Sequence, residues 1–255
     1  MALLEVKDMT QCFGGLCAVS EFSVSLDKGQ LVALIGPNGA GKTTVFNLVS
    51  GFYKPTRGEI IFKGRSIKGK KPHEVTSRGI ARTFQNIRLW FDMTVLDNIR
   101  IAQHHALGYG LLDCFLRTPR YMRRERDIED HAMKVLDTLG LRDVAYEFPK
   151  NLPYGVQRMV EIARALSIGP DLLMLDEPAA GLNSADVDGL IKNIASIHEE
   201  FDLAIWMIEH QMDVVMSLCS WIKVIDFGAT IAEGTPADIQ NNPEVIKAYL
   251  GDETI

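Results

Sequence analysis

Apolar and polar residues alternate along residues 3–8 and 22–26, the second stretch reading Phe22-Ser23-Val24-Ser25-Leu26. A period of two is that of a strand with one face buried. Gly58-Glu59-Ile60-Ile61-Phe62-Lys63-Gly64 predicts another short strand, and the three together predict a small, partly antiparallel sheet. Elsewhere the apolar runs are continuous: Leu31-Val32-Ala33-Leu34-Ile35, Leu172-Leu173-Met174-Leu175 and Leu203-Ala204-Ile205-Trp206-Met207-Ile208. Strands apolar on both faces belong in a parallel sheet covered by helices. From Val95 the spacing lengthens. Val95–Ala102 carries apolar residues three or four apart behind Thr94, a suitable N-cap, and Glu129–Leu139 repeats the pattern. Gly108, Gly110 and Pro119 are expected to break the chain between these helices. Gly228 and Gly234 punctuate a last pair of short strands around Ile231, ahead of a terminal helix near Pro243–Leu250. This is the pattern of an α/β chain, and no internal repeat interrupts it.

A length of 255 residues accommodates one α/β domain with an attached subdomain, or two small domains. The net charge of −6 argues against an electrostatic nucleic-acid footprint. No apolar stretch approaches the ~20 residues of a membrane helix, and the start, Met1-Ala2-Leu3-Leu4-Glu5, turns acidic too soon for a signal peptide. Any membrane role is therefore expected to come through a partner. The run Arg117-Thr118-Pro119-Arg120-Tyr121-Met122-Arg123-Arg124-Glu125-Arg126 concentrates cations. A patch for phospholipid or nucleic acid is one reading; Asp127, Glu129 and Asp130 follow at once and favour the other, a solvated helix face. Cys12, Cys17, Cys114 and Cys219 show no C-x-x-C spacing, so reduced thiols in a cytosolic chain are expected.

The chemistry begins at residues 36–43, Gly36-Pro37-Asn38-Gly39-Ala40-Gly41-Lys42-Thr43, a full G-x-x-x-x-G-K-[ST] loop. A strand-like run leads in and a helix-compatible run from Thr44 leads out, which is the context a phosphate loop requires. Backbone N–H groups and the helix N-terminus then direct partial positive charge at a triphosphate. Lys42 supplies a cation for the β and γ oxygens, and the Thr43 hydroxyl suits Mg²⁺. Asp176 ends an apolar strand and is placed to hold Mg²⁺ directly or through water. Glu177, one residue on, alternates to another direction and can polarise an attacking water. His210 follows the next buried strand, where a parallel sheet opens onto its ligand crevice. Gln85, in Arg82-Thr83-Phe84-Gln85-Asn86, is a weaker signal taken alone.

In this order the parts resemble those of an ABC-transporter nucleotide-binding subunit over nearly the whole chain. The phosphate loop is followed by a Q-loop at Gln85, a signature-like stretch at 152–158, a Walker B strand at 172–177, a D-loop at Gly181-Leu182-Asn183 and a switch histidine at His210. Within the family the chain most resembles subunits of the branched-chain amino acid importers. Gly51-Phe52-Tyr53-Lys54-Pro55-Thr56, Met93-Thr94-Val95, Asp176-Glu177-Pro178-Ala179-Ala180, Ile208-Glu209-His210 and the terminal Ala248-Tyr249-Leu250-Gly251 carry that likeness, as does the long insert between Gln85 and Leu152.

The resemblance implies a phosphate-loop NTPase (RecA-like) core with a small antiparallel β subdomain and an inserted helical subdomain, all within one ABC ATPase domain, 1–255. It assigns 1–88 and 160–235 to the nucleotide-binding core, 89–159 to the helical subdomain and 236–255 to a C-terminal helix. Phe13 takes the position where an aromatic ring stacks on adenine, the alternative being a core residue beside Val19. The nucleotide-binding set is then Phe13, Gly36, Pro37, Asn38, Gly39, Ala40, Gly41, Lys42, Thr43, Thr44, Asp176, Tyr154 and Gly155, with Thr43, Gln85 and Asp176 on Mg²⁺. Glu177 is the implied catalytic base, His210 the γ-phosphate sensor, and Gln85 the link to the helical arm that touches a membrane partner. ATP and Mg²⁺ are the implied cofactors. The implied partners are two membrane-embedded permeases, a second ATPase subunit (a paralogue or the same chain) facing head to tail, and, indirectly, an external binding protein. Nucleic acid is not expected, and the implied location is peripheral, on the cytoplasmic face of the inner membrane.

One departure stands out. Where the family signature is L-S-G-G-Q, this chain has Leu152-Pro153-Tyr154-Gly155-Val156. Pro153 replaces a hydroxyl donor to the γ-phosphate and cannot substitute for it. This signature is expected to complete the weaker of two ATP sites. The expected function is ATP hydrolysis powering uptake of branched-chain amino acids. Rival readings are the same machine with a urea, amide or lipopolysaccharide-type cargo, a soluble ABC-type ATPase, and a small-molecule kinase.

Overall fold

The computed structural model describes residues 2–106 and 108–250; the end of the segment expected as a C-terminal helix, 251–255 with Gly251, lies outside the described residues. In chain order the elements are β1 (Leu4–Phe13), β2 (Leu16–Leu26), β3 (Leu31–Ile35), α1 (Lys42–Val49), β4 (Arg57–Phe62), β5 (Arg65–Ser66), α2 (Pro72–Thr76) and β6 (Ile80–Arg82). There follow α3 (Val95–Ala102), α4 (Leu111–Leu116), α5 (Pro119–Thr138), α6 (Tyr154–Leu166), β7 (Leu172–Asp176), α7 (Ser184–Phe201), β8 (Ala204–Ile208), α8 (Met212–Leu218), β9 (Trp221–Asp226), β10 (Ala229–Gly234), α9 (Pro236–Gln240) and α10 (Pro243–Leu250). They divide into two compact units, one running to Gln85 and resuming at Asp171, the other spanning Asn86–Pro170.

In the first unit the described residues form two sheets. The continuous apolar runs become β3, β7 and β8, buried at every position and mutually parallel in the order β10-β9-β3-β8-β7-β6, with only β10 antiparallel at its edge. The alternating stretches become the antiparallel sheet β2-β1-β4-β5. Phe22, Phe46, Phe62, Leu4 and Trp206 belong to one buried cluster in this unit. The Trp206 ring lies 6.4 Å from Phe22 and 5.0 Å from Phe46, so a strand of each sheet and α1 meet at one indole. Burial of each such side chain contributes about 1.5–3 kcal/mol.

The hairpin between β1 and β2 overturns the expectation of reduced thiols throughout. Cys12 and Cys17 face each other in register and form a disulfide, because the Gly14-Gly15 turn folds the chain back on itself. A hairpin juxtaposes such residues without any C-x-x-C spacing. Cys114 is a free exposed thiol and Cys219 a free buried one, whose pKa burial pushes up to about 12.

In the second unit α3 occupies its expected bounds, and the Thr94 hydroxyl accepts from the Asp97 N–H at its start. Asn98, fully buried, ties this helix to the preceding segment by accepting from Trp90 N–H and donating to the Trp90 and Thr94 carbonyls. Pro119 corrects one expectation. It does not break a helix but begins one, since Thr118 caps α5 and proline at the first position forfeits no internal hydrogen bond. The helix expected over Glu129–Leu139 is the second half of this 20-residue element. Its buried residues, Ile128, Ala132, Val135 and Leu136, recur at helical spacing.

Candidate functional site

Four parallel strands deliver the site to one edge of the sheet. The phosphate loop follows β3, the Gln85 segment follows β6, Glu177 follows β7 and His210 follows β8. Such an edge is where open α/β sheets bind ligands.

The loop requires glycine where the backbone is left-handed and tightly enclosed. Gly41 has φ +104, and a Cβ there would lie 2.4 Å from the Ala18 carbonyl oxygen. Gly36 would place a Cβ 2.0 Å from the Ile225 carbonyl oxygen. Lys42, at the start of α1, is buried, and its Nζ donates to the Gly36 and Pro37 carbonyls at 2.6 and 2.8 Å. Burial lowers its pKa, while Glu177 and Asp176 oppose the fall. The Thr43 side chain is exposed beside it and Thr44 is half-buried.

Glu177 is not aimed by strand alternation as the sequence suggested. β7 ends at Asp176, and Glu177 takes φ +49, a left-handed conformation uncommon for any residue but glycine. Its N–H donates to the Ile208 carbonyl on β8, which fixes the turn. The carboxylate then accepts from Gln85 Nε2 at 2.7 Å, with His210 Nδ1 3.7 Å from its other oxygen. Gln85, Glu177 and His210, with Gly36, Pro37 and Asn38, line one cavity of about 620 Å³. Backbone strain of this kind recurs at reacting groups.

Asp176 is buried, and its position depends on a residue that the motif reading left without a role. Arg82 donates from Nη2 to Asp176 Oδ2 at 2.7 Å and from Nη1 to Asn47 Oδ1 and Ser50 Oγ, both at 2.8 Å. Its guanidinium carbon lies 5.1–5.9 Å from the centres of the Phe84, Phe46 and Phe52 rings. A carboxylate in this fork has one oxygen committed to arginine and the other left for a ligand.

Glu209 is a second omission. Fully buried, it accepts from Ala179 N–H through Oε1 and from His210 and Gln211 N–H through Oε2. It thereby links the turn after Glu177 to the turn that carries His210. An isolated glutamate closing a continuous apolar run was its only sequence signal. Tyr249 on α10 is the third: it lines the same cavity as Gly36 of the phosphate loop.

Other expected residues are not among those that line this cavity. Phe13 sits at the tip of the β1–β2 hairpin, 45% exposed and edge-on to Tyr53 at 5.4 Å, so it is not a core residue beside the fully buried Val19. Gly39 and Ala40 line an adjoining cavity, with Phe227 and Lys247, that shares Pro37 and Asn38 with this one. Tyr154 and Gly155 open α6 in the second unit, where the Tyr154 hydroxyl accepts from Arg158 at 3.3 Å. Pro153 caps that helix with no side-chain hydrogen bond.

Hydroxyl and carboxylate oxygens from Thr43 and Asp176 are the hard donors that suit Mg²⁺. Among the described residues no group of three or more His, Cys, Asp or Glu could cage a metal. Among the described residues no helix is long and apolar enough to cross a membrane.

A phosphate loop opposed at the same sheet edge by a carboxylate, a glutamine and a histidine defines a nucleoside-triphosphate hydrolase of the phosphate-loop class. Residues 19–180 match the ABC transporter family, and residues 229–254 match the family described as branched-chain amino acid ATP-binding cassette transporter. The chain is 45% identical over 250 residues to the high-affinity branched-chain amino acid transport ATP-binding protein BraF of Pseudomonas aeruginosa, covering 98% of each chain. It is 45% identical over 250 residues to the protein LivG of Salmonella typhimurium, named for the same transport, again covering 98% of each. A crystal structure of an ATP-binding cassette of an ABC transporter in its ADP conformation superposes with a TM-score of 0.86 at 30% identity, covering 99% of this chain and all of that one. The chain belongs to the ABC transporter family, as an ATP-binding, ATP-hydrolysing subunit coupled to transport.

Proposed function

We propose that this chain hydrolyses ATP to drive uptake of branched-chain amino acids, from the cytoplasmic face of the inner membrane. The observation that carries the catalytic half is Glu177 held between Gln85 and His210 beside the phosphate loop. The cargo rests on the relatives' names and on the match of residues 229–254, which begins beyond the 19–180 match to the general ABC transporter family.

In this reading the loop residues Gly36 to Thr44 cradle the phosphates, Lys42 leaves the Gly36 and Pro37 carbonyls for the β and γ oxygens, and Phe13 stacks on adenine. Thr43, Asp176 and Gln85 hold Mg²⁺, which when bound neutralises charge on the β and γ phosphates. Glu177 accepts the proton of the attacking water, and the hydrogen bond from Gln85 sets the direction of its lone pairs. His210 contacts the γ-phosphate. Tyr154 and Gly155, at the open N-terminus of α6, complete a site on a second ATPase subunit, and Pro153 makes that site the weaker one. The first unit serves as the nucleotide core and the second, Asn86–Pro170, as the helical arm on the permeases, so that 86–88 and 160–170, expected in the core, go with the arm; 236–255 serves as a C-terminal element. ATP bound between two subunits favours the closed pair by its differential affinity, and hydrolysis releases it.

The test is affinity purification of the tagged chain from detergent-solubilised membranes, with the captured proteins identified by mass spectrometry. Two polytopic permeases and a second ATPase are expected, and the recovered complex in vesicles should accumulate labelled leucine when supplied with ATP inside. Capture of soluble partners alone would sink the transporter reading; accumulation of an amide in place of leucine would overturn the cargo.

A further inference from the structure

α4 is an apolar helix that buries nothing. Leu111, Leu112, Phe115 and Leu116 are 91, 77, 87 and 68% exposed, and none of its six residues is buried. They stand at i, i+1, i+4 and i+5, which is one continuous face of a helix, with Asp113 on the other. Contiguous apolar surface of this kind marks a site of contact.

The adjoining half of α5 supplies the opposite chemistry. From Pro119 to Asp127 no residue is buried; the packed face of the helix begins only at Ile128. Arg120, Arg123 and Arg124 recur at helical spacing and line a shallow cavity of about 280 Å³ with Gly108 and Asp127. Arg117, Arg120 and Arg123 form no salt bridge among the described residues. The joint between the helices is pinned. Asp113 accepts from Gly110 N–H at 3.1 Å and from the Thr118 hydroxyl at 2.9 Å, and Thr118 caps α5. The single carboxylate of α4 is therefore occupied in holding apolar face and arginines together.

We propose that α4 and the first half of α5 form a docking surface for an anionic phospholipid bilayer, the four apolar side chains entering the interface and the arginines holding lipid phosphates. An apolar face bordered by arginines is the composition of interfacial anchors. Guanidinium forks match phosphate oxygens. Charge complementarity selects lipid over a permease loop, because cytoplasmic loops of membrane proteins carry an excess of Lys and Arg. The chain as a whole has a net charge of −6, so an anionic surface repels its other faces and this patch sets the orientation. The contact takes up the phospholipid reading of the 117–126 run, which the sequence ranked below a solvated helix face, and adds a direct membrane attachment to the one through a partner. It rests on the reading that the chain works at a membrane.

Flotation of the purified full-length chain with phosphatidylglycerol vesicles, against phosphatidylcholine vesicles, tests it. Binding should require the anionic lipid and weaken with salt. Each arginine removed should weaken it about fivefold, so that the Arg120→Gln, Arg123→Gln double variant binds more than tenfold less well. Leu112→Ser with Phe115→Ser should abolish binding while leaving ATP binding intact, and the fluorescence of a Leu112→Trp variant should shift to the blue on anionic vesicles only. Absence of flotation, equal flotation on both lipids, or indifference to either double variant would overturn the proposal. So would loss of permease capture by these variants in lipid-free detergent, which would assign the surface to the permease. Failure on vesicles with permease capture intact leaves the transporter reading standing.

Discussion

Two glutamates, one in each unit, sit beside cations and are held in opposite ways. Glu161 lies in the middle of α6, its side chain 1% exposed, paired to Arg158 at 2.7 Å and accepting from Arg88 N–H. Arg164 on the same helix donates to the Arg88 carbonyl and stacks on Trp90, so α6 and the segment before α3 are locked by several contacts at once. Glu177 is 13% exposed, sits at φ +49, accepts from a glutamine amide and has a histidine ring 3.7 Å away. The proposed role of Glu177 as a base calls for a carboxylate that is not neutralised by a permanent guanidinium; a carboxylate that joins elements has no such demand. Asp176 lies between these cases. Arg82 pairs with it at similar burial, yet the pair stands at the sheet edge beside the phosphate loop.

Replacing Glu177 with Gln should give the largest effect. The hydrolysis rate of the assembled transporter should fall about 10²–10⁴-fold, with ATP binding and melting temperature retained; an unchanged rate would remove Glu177 from the chemistry and collapse the contrast. Arg158→Ala should reverse the pattern. Leaving Glu161 buried without its partner costs about 3–5 kcal/mol, read as a lowered melting temperature, whereas the double replacement of Arg158 by Met and Glu161 by Leu should lose far less. Arg82→Lys keeps the charge and loses the fork. Residues that orient a metal ligand typically affect metal affinity or activity about 10–100-fold, so the Mg²⁺ concentration for half-maximal hydrolysis should rise, and Mn²⁺ binding followed by EPR should weaken. Nucleotide affinity in EDTA should stay the same; an equal loss there would make Arg82 a purely structural residue.

The smallest effect concerns pH. Burial raises the Glu161 pKa above its ordinary 4.5, against the pull of Arg158 and the Arg88 N–H. The folded state then holds a proton that the unfolded chain releases, so this group's contribution falls as pH rises from 4.5 through the raised value. Denaturant titrations across that window should show a downward slope that Glu161→Gln removes. A stabilising slope in the wild type relative to this variant would mean that Arg158 outweighs burial.

Local patterns carried much of the fold. β3, β7 and β8 were legible because both their faces are buried, and α3 because Thr94 caps it and its apolar residues keep one face. Pro119 misled because the same residue ends a helix from within and begins one from its first turn; the Thr118 cap decides between them. The cysteine expectation failed since spacing rules do not register a hairpin that sets Cys12 opposite Cys17. The role of Arg82 is not legible in its motif, because its partners Asn47, Ser50 and Asp176 stand 35, 32 and 94 residues away.

The chain by itself determined the phosphate loop, the strands that deliver it and the types of the side chains at the sheet edge, since these depend on residues a few positions apart: glycines for a tight loop, apolar runs for buried strands, a cap for a helix. Only the tertiary structure decided which ends converge. The order β3-β8-β7-β6 brings Gln85 to Glu177 across 92 residues, Arg82 to Asp176 across 94, and Glu209 under the turn of Ala179 across 30. Such contacts follow from strand order and from the left-handed turn at Glu177, both fixed by the packing of the sheet as a whole and not by the residues adjoining any one of them.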